Sequence, residues 1–226
     1  MEIPLAAPFD VAHGVDPKEP QTTLEVPPVE VIDAALKLWH ESKKRSDVTL
    51  VLDRSGSMGE GRRMENARAG AEQLLELLDD EDTFSLLPFN AQPAWVIQGA
   101  RLSQARQQVT DTVRGIFPDG GTALYDAIAT AYARKLEEVR RDPGKIAAIV
   151  VLTDGEDTDS RLALDGLLRS LRSNNESQGV RVFTIGYGGS SRKAVLEAIA
   201  DATQARFYEG NPANIRTVFR EISTFF

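Results

Sequence analysis

The sequence predicts an α/β fold: a Rossmann-like, doubly wound, mostly parallel six-stranded sheet with one antiparallel edge strand and helices on both faces. Strand-length apolar runs alternate with helical patterns from residue 47 onward, and this alternation is typical of parallel sheets. Two runs, Val48–Leu52 and Ile146–Leu152, are almost wholly apolar, as expected for strands buried on both faces. The connection around Pro93, between the second and third predicted strands, is too short for the crossover that two parallel strands need. The third strand should therefore be antiparallel to the second and lie at an edge of the sheet.

The elements of the first half follow from local patterns. After the strand that ends at Asp53, apolar residues recur every three or four positions, as on one face of a helix. They are Met64, Ala67, Ala71, Leu74, Leu75 and Leu78. The elements that come next are a solvated acidic loop Asp79–Asp82, a second strand Thr83–Phe89, a third strand Ala94–Ile97 and a short polar helix Ser103–Arg114.

The second half continues the alternation of helix and strand. A loop with two glycines precedes a helix from Ala123 to about Arg140, and a turn then leads into the strand Ile146–Leu152. Leucines at helical spacing predict the next helix; they are Leu162, Leu164, Leu167, Leu168 and Leu171. The remaining elements are a strand Val180–Ile185, a helix around Val195–Ala200, a short strand Arg206–Tyr208 and a last helix from Pro212.

Residues 1–46 are predicted to be an extended, proline-rich segment followed by a helix, and to act as a linker or as the remnant of a preceding domain. Residues 47–226 form the α/β domain. Six of the eleven prolines lie within the first 30 residues, and proline removes backbone donors and disfavours helix in the residue before it. Pro28 then begins a helical pattern, whose apolar face consists of Ile32, Ala35, Leu36 and Trp39.

Composition excludes several classes of function. The formal net charge is −8 and no basic block stands out, so neither nucleic acid nor an anionic membrane is expected as a partner. The absence of cysteine excludes disulfides and thiol chemistry. No apolar stretch approaches the length that spans a bilayer, so we expect no membrane contact from this chain itself.

Polar side chains follow two predicted strands that should be neighbours. Asp53, Ser55 and Ser57 come directly after the first strand, and Asp154 comes after the fourth. The usual strand order 3-2-1-4-5-6 places these strands side by side, at the crevice where open α/β sheets bind ligands. The first three side chains all offer oxygen, which suits a hard cation such as Mg²⁺ or Mn²⁺ better than zinc or copper. The alternative is that the serines only cap the helix that follows.

Together these residues resemble a von Willebrand factor A-type domain that carries a complete metal-ion-dependent adhesion site. The pattern of that family is D-x-S-x-S after the first strand, a threonine in the second loop and an aspartate after the fourth strand. The matching residues here are Asp53, Ser55, Ser57, Thr122 and Asp154. The resemblance covers residues 47–226, and it implies that these five residues hold Mg²⁺ (or Mn²⁺).

The resemblance also implies a function. Such a domain is a divalent-metal-dependent protein-binding module, used in adhesion or interaction, whose metal coordinates an exposed Glu or Asp of a partner protein. It is not an enzyme. Loop residues around the metal would make the remaining contacts with the partner. By loop position the candidates are Arg54, Met58, Glu60, Glu156, Asp157 and Tyr187.

A narrower resemblance adds a neighbouring domain. Residues 14–58, the run Thr153–Thr158 and the ending Ile222–Phe226 are similar to bacterial proteins that join a solute-binding-like domain to a C-terminal A-type domain. This similarity implies that a solute-binding-like domain precedes residue 1 in the natural chain, where it is a further partner. It also implies a location in the cell envelope or outside the cell, whereas the chain itself leaves localisation unknown.

A Mg²⁺-dependent hydrolase is the first alternative. Haloacid-dehalogenase-like phosphatases also place an aspartate after a strand, but they carry a second, proton-transferring aspartate two residues later. Ser55 stands at that position here, and it lacks the carboxylate that proton transfer needs. The two histidines, His13 and His40, both precede the domain, so no serine–histidine pair is evident there.

Two further alternatives concern binding and structure. Nucleotide binding is suggested by the glycine-rich run Gly186–Lys193, which follows a strand. The run matches neither G-x-x-x-x-G-K-[ST] nor the complete G-x-G-x-x-G pattern, so a tight strand-to-helix turn is the simpler interpretation. The last alternative is a purely structural module with a vestigial metal site, and the intact set of five ligand residues argues against it. Sequence alone does not show whether the site is occupied.

Overall fold

The computed structural model describes residues 27–34, 44–187, 193–211 and 213–225, without the side chains of residues 175–178. These residues belong to two units of the chain, 1–43 and 44–226. In the first unit, residues 29–34 are helical, and the carbonyl of Pro28 accepts from the amides of Val31 and Ile32. The rest of the predicted helix face and the proline-rich segment before residue 27 lie outside the described residues. The assignment of residues 1–46 to a linker therefore stays a prediction.

Six strands form one sheet in the order β3-β2-β1-β4-β5-β6. The β2–β3 pair is antiparallel and all other pairs are parallel, so the predicted order and the antiparallel edge are confirmed. The strands are β1 (Ser46–Asp53), β2 (Thr83–Phe89), β3 (Ile97–Arg101), β4 (Ile146–Thr153), β5 (Arg181–Tyr187) and β6 (Phe207–Gly210).

Helices cover both faces of the sheet, as predicted. In the second unit they are α1 (Arg63–Leu77), α2 (Leu102–Arg114), α3 (Leu124–Arg141), α4 (Leu164–Gln178), α5 (Lys193–Asp201) and α6 (Ile215–Ser223), with a 3-10 turn at Gly56–Gly59. Apolar residues of α1, α2 and α6 share one core cluster, and those of α3, α4 and α5 share the other. Every residue of β1 is buried, because successive side chains of a strand enter opposite faces and both faces are covered.

The third strand differs from its predicted position. It was expected at Ala94–Ile97, but regular pairing begins at Ile97, opposite Leu86, and continues to Arg101. Before Ile97 the chain bonds to β2 outside the regular strand, where the amides of Ala94 and Val96 donate to the carbonyls of Pro88 and Leu86. β3 itself is a mostly exposed edge strand, which leaves little hydrophobic pattern to detect.

In the described ranges, no helix is both long enough and apolar enough to span a membrane.

Candidate metal centre

The carboxyl ends of β1 and β4 lie side by side. The strands pair in parallel with Leu52 opposite Leu152, so Asp53 and Thr153 end their strands at the same edge and Asp154 follows directly. Asp53 is completely buried, and Asp154 retains only 2% of its accessible surface. Because both strands lie in the middle of the sheet, the sheet itself fixes where these two carboxylates stand.

Asp53 accepts hydrogen bonds on both carboxylate oxygens. The amide of Ser55 donates to Oδ1 at 2.8 Å, and the hydroxyl of Thr153 donates to Oδ2 at 2.5 Å. Burial raises the pKa of Asp53 above its ordinary value of 3.8, because the charged form loses its hydration. The hydrogen bonds from Thr153 and Ser55 oppose this rise, and the negative charge of Asp154 adds to it.

The two serine hydroxyls converge with Asp154. Ser55 Oγ lies 3.1 Å from Ser57 Oγ, and Ser57 Oγ donates to Asp154 Oδ1 at 2.8 Å. Neighbouring corners of an octahedron are about 3.0 Å apart when each ligand lies about 2.1 Å from Mg²⁺. The spacing of the hydroxyls therefore fits a magnesium ligand pair, and the lone pairs of Ser57 remain available while its proton bonds to Asp154.

Thr122 is held beside this group by contacts among three loops. The amide of Gly56 donates to the carbonyl of Gly120 at 2.9 Å, which joins the first loop to the second. The amide of Thr122 donates to Asp159 Oδ2 at 2.9 Å and to Thr158 Oγ1 at 3.1 Å, which joins the second loop to the loop after β4. These bonds fix the backbone of all three loops around one opening.

Gly155 leaves room for the side chain of Thr122. A Cβ at Gly155 would lie 3.2 Å from Thr122 Oγ1 and 3.5 Å from Asp53 Oδ2. These two oxygens therefore flank the same point at the end of β4. Thr122 is 5% exposed, so its hydroxyl belongs to the buried lining of the site and not to the outer surface.

Asp126 holds the loop after β4 from the first turn of α3. Its Oδ2 and Oδ1 accept from the amides of Arg161 and Leu162, each at 3.0 Å. Asp157 makes the reciprocal connection, because its Oδ1 accepts from the amide of Tyr125 at 3.2 Å. Each carboxylate occupies backbone donors of the opposite segment, and both therefore have a structural role at the rim of the site.

Arg63 is a residue that the sequence analysis missed. Its Nη1 donates to Asp154 Oδ2 at 2.5 Å and to the carbonyl of Ser57 at 3.2 Å. Arg63 and Asp154 are 91 positions apart in sequence, so no local pattern could have paired them. The sole available signal was a cation in the first turn of the helix that follows the D-x-S-x-S run.

For two of the six residues predicted to contact a partner protein, the prediction was wrong. Met58 is fully buried and Tyr187 is 4% exposed; the hydroxyl of Tyr187 accepts from Asn66 Nδ2 at 3.1 Å. Glu60 and Glu156 are exposed. Arg54 and Asp157 are partly exposed, so these four stay candidates for contact with a partner.

The structure thus brings together all five side chains that the sequence singled out. Asp53, Ser55, Ser57 and Asp154 are linked by the hydrogen bonds and the hydroxyl contact given above, and Thr122 lines the same opening. Over the described ranges there is no cluster of three or more His, Cys, Asp or Glu side chains with metal-binding geometry. Any cation at this position would therefore depend on hydroxyl oxygens as well as carboxylates, and that donor set fits Mg²⁺ or Mn²⁺.

Known proteins share this fold. A solved von Willebrand factor type A structure from Catenulispora acidiphila superposes with a TM-score of 0.70 at 24% identity, covering 80% of this chain and 42% of that chain. The von Willebrand domain of a type V pili tip protein from Porphyromonas gingivalis superposes with a TM-score of 0.63 at 14% identity, covering 80% and 95%. At these identities the likeness establishes the fold alone.

A family model identifies the family, and two known proteins are similar to the chain over most of its length. An uncharacterized protein of Synechocystis sp. is 27% identical over 188 residues, covering 81% of this chain and 42% of that protein. Human inter-alpha-trypsin inhibitor heavy chain H2 is 29% identical over 190 residues, covering 79% of this chain and 20% of that protein, so the chain spans less than half of either relative. The model described as von Willebrand factor type A domain matches residues 47–221, and the chain belongs to that family.

Proposed function

We propose that residues 47–226 form a divalent-metal-dependent protein-binding module. In this proposal Asp53, Ser55, Ser57, Thr122 and Asp154 hold Mg²⁺ (or Mn²⁺), and the site accepts the carboxylate of an exposed Glu or Asp on a partner protein. The observation that carries the proposal is the pair of serine hydroxyls 3.1 Å apart, one of which is hydrogen-bonded to Asp154. Domains of this family are typically interaction or adhesion modules, which agrees with that chemistry.

The residues divide into neutral and charged donors. Ser55, Ser57 and Thr122 offer uncharged hydroxyl oxygens, whereas Asp53 and Asp154 carry negative charge. The carboxylate of Asp53 accepts hydrogen bonds from the hydroxyl of Thr153 and the amide of Ser55, and the carboxylate of Asp154 accepts one from the hydroxyl of Ser57. A bound Mg²⁺ would supply an electrophilic centre with exchangeable water positions, and a partner carboxylate could replace one of those waters.

The geometry argues against the hydrolase alternative. Asp53 would be the nucleophile, yet it has no exposed surface and both of its oxygens accept hydrogen bonds. Ser55, at the position of the proton-transferring acid, has no carboxylate. No histidine occurs in the described part of the chain, and a serine nucleophile there would need another base. These points support a binding function and not catalysis.

The setting of the domain is a further proposal. On the narrower resemblance of residues 14–58 and of the run Thr153–Thr158, we place a solute-binding-like domain before this chain in the natural protein, as a second partner. We also place the protein in the cell envelope or outside the cell. The same narrower resemblance supports this location.

The experiment that tests the metal site is a titration with Mn²⁺ alone, followed by electron paramagnetic resonance. We expect one site in the wild-type chain, and we expect Ser57→Ala and Thr122→Ala to weaken Mn²⁺ binding by about 10- to 100-fold. The control is Ser103→Ala, because Ser103 is exposed at the start of α2 and should not affect binding. A crystal soaked in Mn²⁺ should show anomalous density beside Ser55, Ser57 and Thr122. A folded wild-type chain that binds no Mn²⁺ would overturn the proposal.

The partner side of the proposal needs its own test. Once a protein partner is identified, its binding should be lost on addition of EDTA and restored by excess Mg²⁺. Asp154→Ala should abolish the same binding without unfolding the domain, which circular dichroism would check. Binding that survives both EDTA and Asp154→Ala would place the partner surface elsewhere.

Phosphatase turnover that disappears in Asp53→Asn would revive the hydrolase alternative.

A further inference from the structure

The guanidinium of Arg63 lies against the carboxylate of Asp154 inside the candidate metal centre. We propose that Arg63 is a positioning residue that makes Asp154 hold the metal through Ser57 and not by direct coordination, and thereby preserves a coordination position for the partner's carboxylate. This inference rests on the proposed function of the same site. It assigns a role to a residue outside the five that form the family pattern.

The contacts of Asp154 define its orientation. Its Oδ1 accepts from the hydroxyl of Ser57 at 2.8 Å, and its Oδ2 accepts from Nη1 of Arg63 at 2.5 Å. The side chain of Asp154 has no exposed surface, whereas that of Arg63 is 31% exposed. Arg63 therefore covers the carboxylate from the solvent side and engages the oxygen that Ser57 does not use. Loss of the contact with Arg63 should let Oδ2 move toward a cation in the site.

Arg63 is itself held in place. The same Nη1 donates to the carbonyl of Ser57 at 3.2 Å, and it lies 3.9 Å from a carboxylate oxygen of Glu60. The residue stands at the first position of α1, directly after the loop that carries the two serines. Since one nitrogen makes both short contacts, a lysine ammonium is able to replace it, although a lysine lacks the fork geometry of arginine.

The charge of Arg63 should have opposite effects on the two binding steps. A guanidinium is always protonated in proteins, so it repels an incoming divalent cation and offsets the negative charge of Asp154. Metal binding is weakened as a result. The metal that does bind is left with less negative charge around it, and it attracts a partner carboxylate more strongly. Arg63 thus weakens the first step and strengthens the second.

The test compares the wild-type chain with Arg63→Ala, Arg63→Gln and Arg63→Lys. The matched control is Arg101→Ala, because Arg101 also pairs with a carboxylate, that of Glu81, but at the opposite end of the sheet. Three quantities are measured: the dissociation constant for Mn²⁺, the number of exchangeable waters on bound Mn²⁺ from water-proton relaxation, and the affinity of the loaded site for acetate from relaxation of its methyl protons. Circular dichroism verifies that each variant is folded.

We expect Arg63→Ala and Arg63→Gln to bind Mn²⁺ about tenfold more tightly, since two charges at this range still interact appreciably in a water-like medium. Both variants should lose one exchangeable water, which Asp154 replaces, and should bind acetate more weakly. Arg63→Lys should restore all three wild-type values, and Arg101→Ala should leave them unchanged.

The outcomes separate this inference from the one on which it rests. If the wild-type chain binds no Mn²⁺, the proposed function fails and the role of Arg63 fails with it. If the wild-type chain binds Mn²⁺ but Arg63→Ala and Arg63→Gln weaken both metal and acetate binding, Arg63 merely supports the fold and the inference is overturned. If the metal binds more tightly while the water count and acetate affinity are unchanged, Arg63 repels the cation without positioning Asp154, and the inference is also overturned. If one variant fails to fold, the other two still decide between these results.

Discussion

The hydroxyl of Thr153 donates a 2.5 Å hydrogen bond to Oδ2 of Asp53 and so joins the last residues of two neighbouring parallel strands. The other oxygen of Asp53 accepts from the amide of Ser55. Both donors are neutral, so within the part of the chain that the structure describes this fully buried carboxylate is stabilised by hydrogen bonds and not by an ion pair. Such an arrangement is unfavourable for the metal-free protein, because burial penalises the charged form.

Asp53→Asn should therefore stabilise the metal-free domain and remove its response to metal. An amide at this position keeps an acceptor for the Ser55 amide, and the hydroxyl of Thr153 has the carbonyl of Gly155 within 3.4 Å as another acceptor. We expect a gain of about 1 kcal/mol in the free energy of unfolding at neutral pH, as is common when a destabilising functional group is replaced. Urea denaturation with and without Mn²⁺ measures both effects.

The pH dependence of this difference has a definite sign. The folded-state pKa of Asp53 is raised above 3.8, so the folded state binds the proton more tightly than the unfolded state does. The destabilisation by ionised Asp53 is fully present above the raised pKa, and it is relieved as the pH falls through that pKa toward 3.8. The advantage of Asp53→Asn should shrink over the same range. An advantage that is constant with pH would point to packing and not to charge.

The strand order of the sheet and the proximity of its polar strand ends could be predicted from the sequence. β1 and β4 were predicted from their continuous apolar runs, which are typical of strands buried on both faces. The predicted strand order makes them neighbours, and this adjacency places Asp53 close to Asp154. Thr122 came only with the family resemblance, since a loop residue before a helix has no periodic pattern. Arg63 could not be predicted, because its contact with Asp154 depends on side-chain geometry across distant segments.

A buried ion cluster lies at the amino end of β1, away from the metal centre. Lys135 has a fully buried side chain, and its Nζ lies 2.7 Å from Asp47 Oδ1 and 2.9 Å from Glu138 Oε2. Lys135→Met should destabilise the domain by about 3–5 kcal/mol, because it leaves the buried carboxylate of Asp47 without its cation. Urea denaturation measures the loss, and adding Asp47→Asn to Lys135→Met should recover part of it. A loss below 1 kcal/mol, about the median for surface pairs, would show that water reaches the cluster.

Close packing of α1 on α6 depends on a glycine. A Cβ at Gly70 would lie 2.5 Å from Cε2 of Phe219 and 3.1 Å from Cγ1 of Ile215. Gly70→Ala should therefore destabilise the domain by about 1–3 kcal/mol through overpacking, despite the better helix propensity of alanine. Phe219→Leu provides the control, since the double variant should lose less stability than the two single losses added together. Additive losses would mean that the added methyl group does not clash with Phe219.

A surface ion pair gives a second pH-dependent prediction. Arg114 hydrogen-bonds Glu72 through two nitrogens at 3.0 Å each, and this contact lowers the pKa of Glu72 below 4.5. The stabilisation is present above 4.5 and is lost as the pH falls through the lowered pKa. Because the pair is partly exposed, Glu72→Gln should destabilise the domain by only about 0.5 kcal/mol at neutral pH. Thermal melts from neutral to acid pH should show the difference vanishing, and high salt should reduce it at neutral pH.

Gly121 connects the geometry of the loops to the metal centre. A Cβ at this position would lie 2.0 Å from Asp159 Oδ2, the atom that accepts from the amide of Thr122. Gly121→Ala should displace Asp159, release the backbone of Thr122 and weaken Mn²⁺ binding by about tenfold, as loss of a group that orients a metal ligand commonly does. Asp159→Ala removes the same hydrogen bond without a clash, so it should match Gly121→Ala, and the double variant should be no weaker than either. If Asp159→Ala leaves Mn²⁺ affinity unchanged while Gly121→Ala reduces it, the clash acts through the loop backbone and the bond from Thr122 to Asp159 is not what holds the site.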